Sequence, residues 1–188
     1  MKLLKVASIS AFAIAAFGVL IAPVFLHDEY SALSNSISES AAQNVPAAWI
    51  GRAALFASGL GVLGTVILKL STWSRITNIS FITFATLWIV SSIFSTKSWV
   101  AGTPFNAVEN AIHSYAASAM AIVVLGALVL AFTKKSVSRT ERVLALALAA
   151  AATFLPLASF LAPEFGGLFQ RLMFFYTYFW FIRQAKLA

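Results

Sequence analysis

Long apolar stretches alternate along the chain with short polar breaks. Six stretches, residues 6–26, 46–68, 76–95, 111–132, 143–161 and 165–182, each approach the roughly 20 residues needed to cross a ~30 Å hydrocarbon core. The pattern predicts an all-α integral membrane bundle of six transmembrane helices forming a single domain over residues 1–188. Most breaks are too short to hold a domain of their own. The exception is an outer polar segment, residues 27–45, between helices one and two. Within it Leu33, Ile37 and Ala41 recur every four positions, the spacing of a short helix with one face on the membrane or the bundle. A capping turn or surface helix is therefore expected there.

Composition agrees with the pattern: 61% of the 188 residues are hydrophobic and 10% charged, and the mean hydropathy is +0.90. Charge placement then orients the helices. Lys2, Lys5, Lys69, Arg75, Lys134, Lys135, Arg139, Arg142, Arg183 and Lys186 share the side that holds both termini. Only Arg52, Lys97 and Arg171 lie elsewhere. Ten against three is a strong positive-inside bias, which predicts cytoplasmic termini and a cytoplasmic (inner) membrane location. The basic pI near 10.1 is thus read as a topology signal, with no nucleic-acid partner. The start, "MKLLKVASISAFAIAAFGVL", is longer in its apolar run than a usual signal h-region and reads as a retained first helix. With no cysteine, neither a disulfide nor a thiolate metal site is available.

Local signals mark the helix starts. Pro46, Pro104 and Pro163 each precede an inward-going helix and suit its first turn, and Thr103 is a candidate N-cap for helix four. Ala57 and Gly61, with Gly64 one turn on, have the small-xxx-small spacing of close helix packing. The run "FFYTYFWF", Phe174 to Phe181, reads as a lipid-facing belt at the inner interface.

Polar groups near the outer boundary supply the candidate chemistry. Arg52, His113 and Arg171 lie six to nine residues beyond the outer proline of helices two, four and six, at spacings of 61 and 58 residues. At ~1.5 Å per residue Arg171 sits about 12 Å below the outer surface. An arginine that deep is costly, and Glu39 is the expected ion-pair partner. "ENAIHSY" adds Glu109 one turn above His113. His27, Asp28, Glu109 and His113 could form a metal site by residue type, although no HExxH-like spacing is present. Ser38 beside His113 is the serine-hydrolase alternative, without a nucleophile elbow. Phosphate loops and dinucleotide fingerprints are absent, and no cofactor is expected.

"SISES" (Ser38, Glu39), "NAIHSY" (His113) and "GLFQR" (Gly167, Leu168, Arg171) together resemble the six-helix membrane family catalogued as domain of unknown function 998. The resemblance spans nearly the whole chain and implies its fold and topology. It also implies an acid near the outer face after helix three, where this chain reads "FSTKSW". The expected function is non-catalytic: an outer-facing polar pocket of Glu39, Arg52, His113 and Arg171 binds a lipid headgroup or a partner membrane protein. The alternatives are an intramembrane lipid hydrolase, metal-dependent or not, and a structural subunit of a larger membrane complex.

Overall fold

A computed structural model describes residues 1–26, 29–132 and 137–188. Six long helices follow one another: α1 (Lys2–Phe25), α2 (Ala48–Lys69), α3 (Arg75–Ile93), α4 (Ala107–Phe132), α5 (Arg139–Leu161) and α6 (Gly166–Lys186). Each expected span falls on one helix, with ends shifted by four residues at most. The first five are long and apolar enough to cross a membrane. α6 has similar length, but Gln170, Arg171, Arg183, Gln184 and Lys186 interrupt its apolar character. Lys134 and Lys135, counted with the inner charges, lie outside the described residues.

Consecutive helices pack together, and α6 closes the bundle against α1 and α2. Both chain ends meet at one end of it, where Lys5 Nζ donates to the Lys186 carbonyl. There Glu141 ties α5 to α6 by pairing with Arg183 at 2.6 Å and accepting from Gln184. On α2 the small residues bring neighbours close. A Cβ on Gly61 would sit 2.8 Å from the Phe12 ring, and one on Gly64 3.0 Å from Ser8 Cβ. The proximity lets Ser8 Oγ donate to the Gly61 carbonyl and meet Thr65 Oγ1 at 2.9 Å. Such close packing and interhelical hydrogen bonds hold helices together where surrounding lipid is as apolar as the core.

The aromatic run of α6 corrects its expected placement. Phe174, Tyr178, Trp180 and Phe181 are buried, with Trp180 and Phe181 fully so. They pack on Phe12, Phe81, Phe84 and Trp88 in edge and stacked arrangements, with ring centroids 5.0–6.2 Å apart. Each such pair adds about 0.5–1.5 kcal/mol beyond area burial. Only part of the run, Phe179 foremost, faces outward. Hydropathy cannot tell a lipid-facing ring from a core ring, because both environments are apolar.

The outer prolines lie just ahead of their helices, not in the first α-helical turn: Pro163 opens a 3-10 turn, Pro163–Phe165, before α6. Asn106, not Thr103, caps α4, its Oδ1 accepting from the N–H groups of Val108 and Glu109. Thr103 precedes Pro104, which cannot donate, so a cap three residues nearer the helix serves the orphan N–H groups.

Candidate functional site

The described part of the outer segment is a chain of turns packed over the helix mouths, not a surface helix. Its one helical element is a 3-10 turn, Glu39–Ala41. Ile37 and Ala41 are buried as their spacing suggested, whereas Leu33 is exposed. Ser36 and Glu39 make a reciprocal capping box: Ser36 Oγ accepts from the Glu39 N–H at 3.1 Å, and Glu39 Oε2 accepts from the Ser36 N–H at 2.6 Å.

Glu39 therefore serves its own turn and does not pair with Arg171, which corrects the expected ion pair. Arg171 meets carbonyls instead. Its Nη1 donates to Ala32, Asn35 and Gly167 at 2.7, 2.9 and 3.0 Å, and its Nη2 to the Tyr30 hydroxyl at 2.7 Å. The guanidinium also lies 5.8 Å from the Tyr30 ring centroid. Burial pushes the Tyr30 phenol above its ordinary value, with Arg171 pulling the other way. Tyr30 thus keeps its proton and donates it to the Ser36 carbonyl. Depth alone misjudged the partner, because the segment brings its own backbone acceptors down to the arginine.

The rest of "GLFQR" completes this docking. A Cβ on Gly167 would lie 2.2 Å from the Asn35 carbonyl oxygen, so only glycine admits the segment so close. The Leu168 N–H donates to the Leu33 carbonyl at 2.9 Å, and Gln170 Oε1 accepts from the Ile37 N–H. The motif is a cradle for the backbone of Ala32, Leu33, Asn35 and Ile37.

Arg52 and His113 do the same work on other elements. Arg52 donates to the Ala41 and Ala42 carbonyls at 3.2 and 3.3 Å. His113, 3% exposed, directs Nδ1 at the Ser91 and Phe94 carbonyls at 3.0 and 2.8 Å, which requires Nδ1 to carry the proton. These carbonyls end α3. The rest of "ENAIHSY" holds the same end: Glu109 Oε1 accepts from the Ser95 N–H, and Asn110 Oδ1 from Thr96 Oγ1 and the Lys97 N–H. The quoted stretch is a clasp between α3 and α4. The four predicted site residues thus stand at one end of the bundle, yet each is committed to the protein's own backbone.

Among the described residues no three metal-type ligands converge. Of the alternative set, His27 and Asp28 lie outside the described residues, and Glu109 and His113 face separate backbone groups. His113 makes no hydrogen bond to Ser38.

Residues that sequence reasoning passed over complete the picture. Gln43, nearly buried, donates to the Ser95 and Asn106 carbonyls and accepts from the Asn106 N–H, pinning the segment to the loop before α4. Gln170 stands between two cavities. An outer vestibule of about 370 Å³ is lined by Ser34, Ser36, Ser159, Gly166, Phe169 and Gln170, among others. An inner chamber of about 330 Å³ lies between α2, α3, α4, α5 and α6, walled mostly by apolar side chains with Ser38, Trp88, Ser91 and Ser118 among them. Pro156, Gln170 and Met173 line both. Pro156 also removes the N–H that would bond the Ala152 carbonyl on the chamber wall. A polar residue one place before Arg171 was the only sequence signal for this junction.

The architecture is that of a membrane-type six-helix bundle whose outer segment is strapped down by basic side chains gripping carbonyls. Within that class the chain belongs to the family described as "Protein of unknown function (DUF998)", which matches residues 9–184. No curated protein and no solved structure matches it.

Proposed function

We propose that the protein is a non-catalytic integral membrane protein of the cytoplasmic membrane, with cytoplasmic termini, that binds a membrane lipid from its outer end. One observation carries this reading: a vestibule bearing three serine hydroxyls and an amide adjoins a mostly apolar chamber across Gln170, the pairing that a lipid's head and chain would need. Such a convergence of a few polar groups on an apolar cavity is the usual form of a small-molecule site. The binding surface differs from the one first expected. Glu39, Arg52, His113 and Arg171 support it by fixing the segment and the α3–α4 clasp. Their Coulombic role toward a headgroup gives way to a positioning role. A partner membrane protein remains the alternative occupant of this end.

The orientation rests on the charge asymmetry along the sequence. Single cysteines at Lys97 and Arg75, both exposed, should label with an impermeant maleimide in intact cells only at 97. Purification in mild detergent followed by lipid mass spectrometry should show a co-purifying lipid. Ala121→Trp, which fills the chamber from α4, should abolish it. Retention of the same lipid at wild-type stoichiometry by that variant would refute the chamber as the site.

A further inference from the structure

We infer that the ligand is a lipid with one apolar chain, an uncharged head, and a hydrogen-bond acceptor where the two join, the chemistry of a monoacyl ester such as an acylglycerol. The inference rests on the lipid-binding reading above and narrows it from the lining groups.

The chain follows from the chamber. An apolar cavity of about 150 Å³ accepts a benzene ring. At about 330 Å³ the chamber holds roughly twice as much. That is space for one chain. Its walls come from Leu55, Phe84, Val124, Leu148 and Phe174, with no charged side chain among the lining residues.

The head follows from the vestibule, where the hydroxyls of Ser34, Ser36 and Ser159 and the Gln170 amide stand among Pro156, Pro163, Phe169 and Met173, with no ionised group in the lining. An anionic head would find no cation there. Arg171 adjoins Gln170 in sequence, but its Nη1 is committed to three carbonyls, two on the docked segment and one on α6. Apart from Arg171, the charged residues nearest the lining in sequence are acids: Glu39, three places after Ser36, and Glu164, next to Pro163. Both disfavour a phosphate or carboxylate head.

The acceptor at the joint follows from Gln170. Its Oε1 must face the Ile37 N–H, because only the carbonyl oxygen of the amide can accept. The amide orientation is thereby fixed, and Nε2 is left as a donor with no partner among the described residues, in a side chain lining both cavities. A second set of unmet groups lies deeper. Trp88 Nε1 and Ser91 Oγ, one turn apart on α3 in residues that line the chamber, are buried without hydrogen-bond partners. Buried donors without partners are uncommon in proteins and invite a ligand acceptor. An ester carbonyl at the head–chain joint would meet Gln170 Nε2, and the Ser91 hydroxyl can turn about its own bond toward the chain.

The test uses brominated dodecyl chains carrying three different heads: a glycerol ester, a phosphate and a trimethylammonium. Each is titrated into detergent-solubilised protein while the fluorescence of Trp88 reports bromine in the chamber, with Trp88→Phe as the background. The glycerol ester should quench Trp88 at concentrations at least tenfold below the other two. Gln170→Glu keeps an acceptor for the Ile37 N–H but replaces the free donor with a carboxylate, so it should hold its thermal midpoint near wild type while weakening the ester probe about tenfold or more. Tighter binding of the phosphate or the ammonium probe would overturn the uncharged-head assignment and leave lipid binding intact. Unchanged ester affinity in Gln170→Glu, with wild-type stability, would remove the acceptor at the joint. Absence of quenching by all three, with no co-purifying lipid, would overturn both readings.

Discussion

α2 and α5 are both rich in small residues, yet they do opposite things with them. Within the most apolar stretch of each, 61% of α2 is buried but only 17% of α5. On α2 four of the small residues are glycines, which have no Cβ to hold a neighbour off: at Gly59 a Cβ would stand 3.0 Å from the Ala85 carbonyl oxygen of α3. On α5 they are alanines, with Pro156 breaking the ladder and only Ala145, Leu148 and Ala152 buried. One helix uses smallness to exclude space. The other leaves space open, and the chamber lies along it. Composition alone would rank the two helices as equivalent packing elements. The difference separates a closely packed half from a half that leaves a cavity open.

The sharpest way to break this division is to attack the cradle on α6 that joins the halves. Arg171→Met would leave the Ala32 and Asn35 carbonyls without their donor. At about 1–3 kcal/mol for each buried group left unsatisfied, the expected loss is on the order of 3–5 kcal/mol. Gly167→Ala should cost a similar amount by driving the Asn35 carbonyl away. Thermal unfolding in mild detergent measures both. A variant as stable as wild type at either position would show that the segment docks without this cradle.

The next effect is smaller and has opposite signs in the two halves. Gly59→Ala should destabilise by about 1–3 kcal/mol, the usual range for overpacking a close contact. Gly126→Ala on α4 meets nothing within 4 Å and should be neutral or gain about 0.5–1 kcal/mol from helix propensity. Ala152→Leu, pointing a larger side chain at the chamber, should be tolerated while reducing lipid occupancy. Equal losses at Gly59 and Ala152 would mean that the chamber is ordinary packing space.

How far the sequence disclosed this arrangement depended on what held each part together. Helix number and position were legible because a span is set by apolar length, which a linear pattern records directly. That Glu109 lies one turn above His113 was legible, because both stand on one face of one helix. The partners of Arg52, His113 and Arg171 were not, because all three grip backbone carbonyls. Every residue carries a carbonyl, so none stands out in a sequence. Searching for an acid near Arg171 led to Glu39, whose real partner is three residues away. Gln170 was overlooked for a similar reason: its role depends on which end of its amide the Ile37 N–H occupies.

The smallest predicted effect bears on that misassigned pair. If Glu39 only completes the Ser36 capping box, Glu39→Gln should cost no more than about 1 kcal/mol, because glutamine also fits the box. An ion pair with Arg171 would behave otherwise. Removing one partner of a buried pair typically costs about 3–5 kcal/mol, and removing both recovers part of it. The capping geometry predicts instead that Glu39→Gln and Arg171→Met add, with a coupling within about 0.5 kcal/mol. Denaturant unfolding of the two single variants and the double variant measures that coupling. A double variant more stable than Arg171→Met alone would restore Glu39 as the arginine's counter-charge and place a charged site under the segment. Additivity leaves the outer end held by backbone carbonyls, with the vestibule's uncharged groups as its surface for a ligand.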